Sequence, residues 1–321
     1  MVYRVVNLQA GILYISIFDI MRISCVPFLL FLLLIQLHCT SKTQNKKSDT
    51  TKEESSATDE TDTQEKSSKQ EKTATTAFAY DLSHPEIIEL PKRLKEISGL
   101  AYASDSSLYA IEDEDGLLYN FSLKDKQLKQ WRFGKKGDYE DLVLLKSQVF
   151  VLRSDGHIFY FPFPPTDNTK AEKWKIAEHK SEFESLYADP NTGNLMMLCK
   201  NCKDDKKDKI SAWSIDPATG EAKVGALILH GKKLTDQKER IKPSAAAVHP
   251  LTKELYVVAS VNNLLIRAEE DGAVKEVYPL DPKLFKQPEG IAFTPNGDMI
   301  ISNEAHNEGP ANLLVFRYHS Q

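Results

Sequence analysis

The chain has 321 residues, 41% hydrophobic and 27% charged, an ordinary balance for a globular protein. A formal net charge of −5 and a pI near 6.0, without a visible patch of Lys and Arg, argue against nucleic acid as a partner. Four cysteines are too few for a disulfide scaffold, and two of them, Cys25 and Cys39, lie in an N-terminal apolar region.

Residues 23–37 form an apolar run of signal-peptide length, short for a membrane span. His38-Cys39-Thr40-Ser41 follows at once and resembles the end of a bacterial lipoprotein signal, although His38 is bulkier than usual and Gln36 stands where an aliphatic residue is common. The expectation is a leader over 1–38, lipidation at Cys39, and a domain held at the cell envelope outside the cytoplasm, anchored to the membrane. Met21-Arg22 would make a compact start, which would leave 1–20 as an upstream extension. An uncleaved anchor and secretion without lipid are the alternatives. Residues 39–77 are almost wholly Ser, Thr, Lys, Glu, Asp and Gln until the last few positions, too polar to offset the entropy of ordering, and read as a disordered tether reaching about 35 Å.

Residues 78–321 carry a repeat. Ser98-Gly99-Leu100, Glu140-Asp141-Leu142, Glu184-Ser185-Leu186, Ser244-Ala245-Ala246 and Glu289-Gly290-Ile291 follow one another at steps of 42, 44, 60 and 45 residues. Propeller blades of four strands repeat at about 40–50 residues. Within each repeat, short apolar runs alternate with turns such as Ser154-Asp155-Gly156 and Pro295-Asn296-Gly297. The fold expected is all-β: a β-propeller of five four-stranded blades, with six as the alternative. The last repeat is one strand short, and Glu86 to Leu90 is the expected closing strand. The surplus of the long step falls at 200–209 and 230–242, read as surface loops.

The segments Glu-Ile-Ser-Gly-Leu-Ala-Tyr at 96–102, Asp-Tyr-Glu-Asp-Leu at 138–142, Phe-Glu-Ser-Leu-Tyr-Ala-Asp-Pro at 183–190, Pro-Ser-Ala-Ala-Ala-Val-His-Pro at 243–250 and Gln-Pro-Glu-Gly-Ile-Ala-Phe at 287–293 together resemble the SdiA-regulated protein family over about 80–321. That resemblance implies an extracytoplasmic β-propeller, and the family's name carries no chemistry. Asp141, Ser185 and Ala245 stand where the family more often has glycine.

The first strand of each blade lines a propeller's channel, so Ser98, Glu140, Glu184, Ser244 and Glu289 are expected to form a ring. Carboxylates about 6 Å apart would repel by about 2.8 kcal/mol per pair at an effective dielectric near 20. Three neutralisers are open: Ca²⁺ on Glu140, Glu184 and Glu289; protons; or basic side chains. Arg153 and Lys200 end the second strands of their blades, at the level assigned to Glu112, Ser260 and Glu304, so a Glu-Arg-Lys network is the first reading. Ser98, Arg153, Lys200, Ser244 and Glu304 are the candidate ligand-binding residues of the channel mouth.

Cys199-Lys200-Asn201-Cys202 is a lone C-x-x-C, read as a local disulfide rather than a zinc site. His306 beside Glu304 is a candidate base, more simply a solvated histidine. No nucleophile elbow, phosphate-cradling glycine loop or H-E-x-x-H occurs. The functional expectation is a tethered propeller that binds a small molecule or a protein, the alternative being a calcium-dependent hydrolase of phosphate esters or lactones.

Overall fold

Short apolar runs punctuated by turn residues make the strands, and each group of four hydrogen-bonds into one antiparallel sheet. The computed structural model describes residues 78–320 except 104, 105, 178–180, 204, 208 and 306–308. The leader, Cys39, the tether and His306 lie outside the described residues. Among the described residues, no helix is long and apolar enough to cross a membrane.

Blade 1 contains β2 (Ile97–Tyr102), β3 (Ser107–Glu112), β4 (Leu117–Ser122) and β5 (Leu128–Arg132). Blade 2 contains β6 (Tyr139–Leu145), β7 (Gln148–Arg153), β8 (His157–Pro162) and β9 (Glu172–Lys175). Blade 3 contains β10 (Glu182–Ala188), β11 (Leu195–Asn201), β12 (Lys209–Ile215) and β13 (Ala222–His230). Blade 4 contains β14 (Ala245–Val248), β15 (Leu255–Ala259), β16 (Leu264–Ala268) and β17 (Val274–Pro279). Blade 5 contains β18 (Pro288–Phe293), β19 (Met299–Asn303) and β20 (Asn312–Phe316), completed by β1 (Glu86–Glu89). The molecule is thus a five-bladed β-propeller, and the six-bladed alternative falls away.

The core lies between blades, not within them. Ile111 and Leu118 of blade 1 pack with Val149, Val151 and Phe161 of blade 2. Tyr256, Val258 and Leu265 of blade 4 pack with Met299 and Ile301 of blade 5. Because both faces of a sheet are covered, its second strand reads as a continuous run rather than an alternation, and every residue of β3, β15 and β19 is buried.

Closure uses the two ends of the described chain. Glu86 to Glu89 pair with Val315 to Asn312, and Leu90 N–H donates to Ala311 at 2.9 Å. Tyr80, upstream of β1, is buried against Tyr256 and Tyr318, its hydroxyl donating to Gly297 O at 2.6 Å.

The surplus segments are not plain surface loops. Residues 230–242 include α1 (Lys232–Thr235), and Leu234 and Ile241 are buried in the core between blades 3 and 4. Lys200 and Asn201 extend β11.

Candidate functional site at the acidic mouth

The inner strands β2, β6, β10, β14 and β18 are sheet edges that touch one another in turn around the axis. Most begin with a bulge. In blade 2 Tyr139 pairs with Arg153 and Asp141 with Leu152, leaving Glu140 as the extra residue. Glu184 is extra between the Phe183–Cys199 and Ser185–Leu198 pairs, and Glu289 between Pro288–Asn303 and Gly290–Ser302. A bulge re-aims the side chain it inserts. The three glutamates expected to be equivalent therefore occupy equivalent backbone positions.

Register defines a second tier. The residues paired with the position before each bulge are Glu112, Arg153, Cys199 and Asn303. One step further along come Asp113, Ser154, Lys200 and Glu304, with Ser260 following β15 at the same place. Side chains alternate between faces, so a shift of one residue changes what each can meet. Arg153 is not at the level of Lys200. Its guanidinium instead forks onto Asp155, at 2.9 and 2.7 Å, beside His157 and over the Phe159 ring. Asp113, which the strand-end alignment passed over in favour of Glu112, is the acid of this tier in blade 1.

The two serines of the first tier hold blades together. Ser98 Oγ donates to Tyr139 O of the next blade at 2.8 Å, and Ser244 Oγ donates to Pro288 O at 3.1 Å. Both are buried. Asp141 makes the equivalent tie between blades 2 and 3, accepting the N–H groups of Leu142 and Leu186 at 2.8 Å each. At Gly99 a Cβ would lie 2.7 Å from Asp141 Cα, so that position requires glycine.

The charges are unbalanced. Lys200 pairs with Glu184, and its field also acts on Glu140 and Glu289. Burial pushes the Glu140 carboxyl up to about 8, with Asp138, Glu289 and Asp113 adding to the rise and Lys200 opposing it. Burial also raises Glu289, against a hydrogen bond from Ser260 and the charge of Lys200. Glu304, which accepts a hydrogen bond from Gln287 Nε2, is pushed up to about 7 by burial and then by Glu289, Asp113 and Glu96. Asp113 is raised by burial and by Glu96, and its enclosed Oδ1 has no hydrogen-bond partner. On the flank, burial lifts Glu112 to about 7; it is 6% exposed and its Oε1 also lacks a partner. These acids from distant parts of the chain hold protons more tightly than free carboxyls, first because burial disfavours their charged form and then because neighbouring carboxylates add to the rise.

Among the described residues, the one group of three or more potential ligands with donor atoms within 4.8 Å of one another is Cys199, Cys202 and Asp205. The two sulfurs of that group are joined as a disulfide, with Cα atoms 5.8 Å apart. Glu140, Glu184 and Glu289 do not form such a group. Further along the inner strands the channel holds a cavity of about 270 Å³ lined by Leu142, Leu186, Ala246 and Ile291 together with Tyr102, Tyr187, His249 and Lys253, a mixed apolar and polar lining.

No family model and no curated protein sequence matches the chain. Among solved structures it is similar to glutaminyl cyclase of Myxococcus xanthus, at 15% identity over 74% of this chain and 96% of that one, with a TM-score of 0.54. Weaker likenesses are to virginiamycin B lyase of Staphylococcus aureus, at 12% identity over 72% and 74% of the two chains (TM-score 0.43), and to a glucose-dehydrogenase-like protein of a Thermus species, at 11% over 73% and 100% (TM-score 0.46). At 15% identity the first likeness supports the propeller fold and says nothing about chemistry.

Proposed function

We propose that the protein is a binding propeller of the SdiA-regulated type, tethered to the cell envelope through a lipid on Cys39, and that the acidic mouth of its channel takes a positively charged ligand without transforming it. One observation carries the reading. The charges of Asp113, Glu140, Glu289 and Glu304, from three blades, interact, and Lys200, paired with Glu184 of a fourth blade, acts on Glu140 and Glu289, in surroundings that raise the carboxyls of Glu140, Glu289, Glu304 and Asp113. A bound cation would restore their charge and release their protons. The Cys199–Cys202 disulfide supports an oxidising compartment.

Calcium-dependent hydrolysis is the rival. It needs oxygens that converge on one ion and a base left over for its water. Here the Lys200 pair occupies Glu184, and among the described residues the acids of the mouth do not form a group with donor atoms within 4.8 Å of one another.

The test is a thermal-shift panel of mono- and divalent cations, with esterase and phosphatase substrates assayed alongside. Stabilisation by cations that is lost in Glu140→Gln/Glu289→Gln, without turnover, supports the reading. Calcium-dependent turnover, or indifference to every cation, defeats it. Mass spectrometry of the mature N-terminus tests the tether: an unmodified Cys39 rules out the lipid.

A further inference from the structure

Lys200, at the end of β11, is held in place beside the glutamates from two directions. The Cys199–Cys202 disulfide closes the loop around it. Arg240, from the long insertion before blade 4, donates to Lys200 O at 3.0 Å, to Asn201 Oδ1 at 2.8 Å and to Cys202 O at 3.2 Å. Arg240 is itself fixed from blade 4, where Asn262 Nδ2 donates to its carbonyl at 3.1 Å. A surface lysine gains little from an ion pair and would lose side-chain entropy in making one. This lysine is half-buried and placed by a clamp spanning two blades.

An ammonium group has three separate donors and no demand for a closed coordination shell. A calcium ion needs about six to eight oxygens converging on one point. The mouth offers carboxylates from several blades, one of them, Asp113, with an enclosed Oδ1 that nothing donates to. One alkylammonium is already seated there, on Glu184.

We propose that the acidic mouth recognises primary ammonium groups, such as those of a short diamine or a lysine side chain, and that Lys200 is a tethered occupant competing with that ligand for the glutamates. The inference rests on the cation-binding reading above and narrows it to one chemical class. It reverses the simple role of a mouth lysine: Lys200 opposes binding, and Arg240 and the disulfide help it do so.

Isothermal titration of the purified protein with diaminopentane, tetramethylammonium and calcium chloride, slightly above the Glu140 value of about 8, tests it. Diaminopentane is expected to bind and tetramethylammonium, which has no N–H, is not. Lys200→Met should tighten diaminopentane binding by about tenfold or more, a difference of about 1.4 kcal/mol, with Lys200→Gln as the second variant. Arg240→Ala should tighten it by less, because the lysine is loosened but still present. Melting temperatures of the variants establish that each is folded. Calcium binding without diamine binding overturns the ammonium class while leaving the cation reading intact. Weaker or unchanged diamine binding in both folded Lys200 variants overturns the competitor role. Binding of none of the three removes the inference and the reading together.

Discussion

Asp141 in blade 2 accepts the backbone N–H of Leu186 in blade 3 at 2.8 Å, from a site only 3% exposed. Burial raises this carboxyl and its two backbone donors oppose the rise. Removing it strands the N–H groups of Leu142 and Leu186 between blades, and each buried unpaired donor costs about 1–3 kcal/mol. Asp141→Ala is expected to cost about 2–4 kcal/mol in urea unfolding and Asp141→Asn, which keeps one acceptor oxygen, less. Equal losses in the two variants would show that the tie is not made by hydrogen bonds.

The raised carboxyls of the mouth give stability a definite pH dependence. Glu140 rises from an ordinary 4.5 to about 8. Below 4.5 it is protonated in both folded and unfolded chains; between 4.5 and about 8 the folded chain keeps a proton that the unfolded chain has released. The folded state therefore binds more protons across that window, and its stability falls as pH rises through it. Glu140→Gln imitates the protonated form. The melting temperature of this variant should match the parent at the acid end and exceed it increasingly towards about pH 8. A gap constant with pH would mean that the substitution acts through packing.

These two sites also show what the sequence could and could not reveal. The equivalent backbone positions of Glu140, Glu184 and Glu289 were legible because they recur once per blade at a nearly fixed interval, whereas Ser98 and Ser244, expected in the same ring, are buried in ties to the next blade. The partner tier was legible only to within one residue. Aligning the ends of the second strands put Arg153 and Glu112 with Lys200, whereas the bulges shift the register so that Ser154 and Asp113 occupy that level. A bulge leaves no mark in an apolar pattern, and an error of one residue turns a side chain to the other face. The insertion at 230–242 was misread for a related reason: Leu234 and Ile241 are isolated apolar residues in a polar stretch, and only the blades show that they are buried.

Closure by β1 can be tested apart from the site. Every blade ends in an outer edge strand, and a chain beginning after Leu90 would make the largely buried, apolar β20 that edge in blade 5, a template for association with other chains. Such a chain should lose its single sharp melting transition and associate with rising concentration on size-exclusion chromatography. Arg317→Ala is the control, because its pairs with Glu86 and Asp298 are largely at the surface and worth about 0–1 kcal/mol. A truncated chain that melts like the parent would mean that the fifth sheet is stable with three strands.

The disulfide loop joins stability to the mouth. Cys199 is buried in the core between blades 2 and 3, while Cys202 is half-buried at its edge, so the bond ties the end of β11 to packed structure. Closing so short a loop removes unfolded-chain entropy worth about 2 kcal/mol. Reductant is expected to shift the urea midpoint of the parent down by that amount and to leave Cys199→Ser/Cys202→Ser, already lowered, unmoved. Loss of the bond also frees the backbone that presents Lys200, leaving Arg240 as its remaining clamp. The pairing of Lys200 with Glu184 should then weaken, which a Glu184→Gln substitution made in oxidised and reduced protein can read. It should cost more stability in the oxidised form, and an equal cost in both would show that Lys200 holds its place without the disulfide.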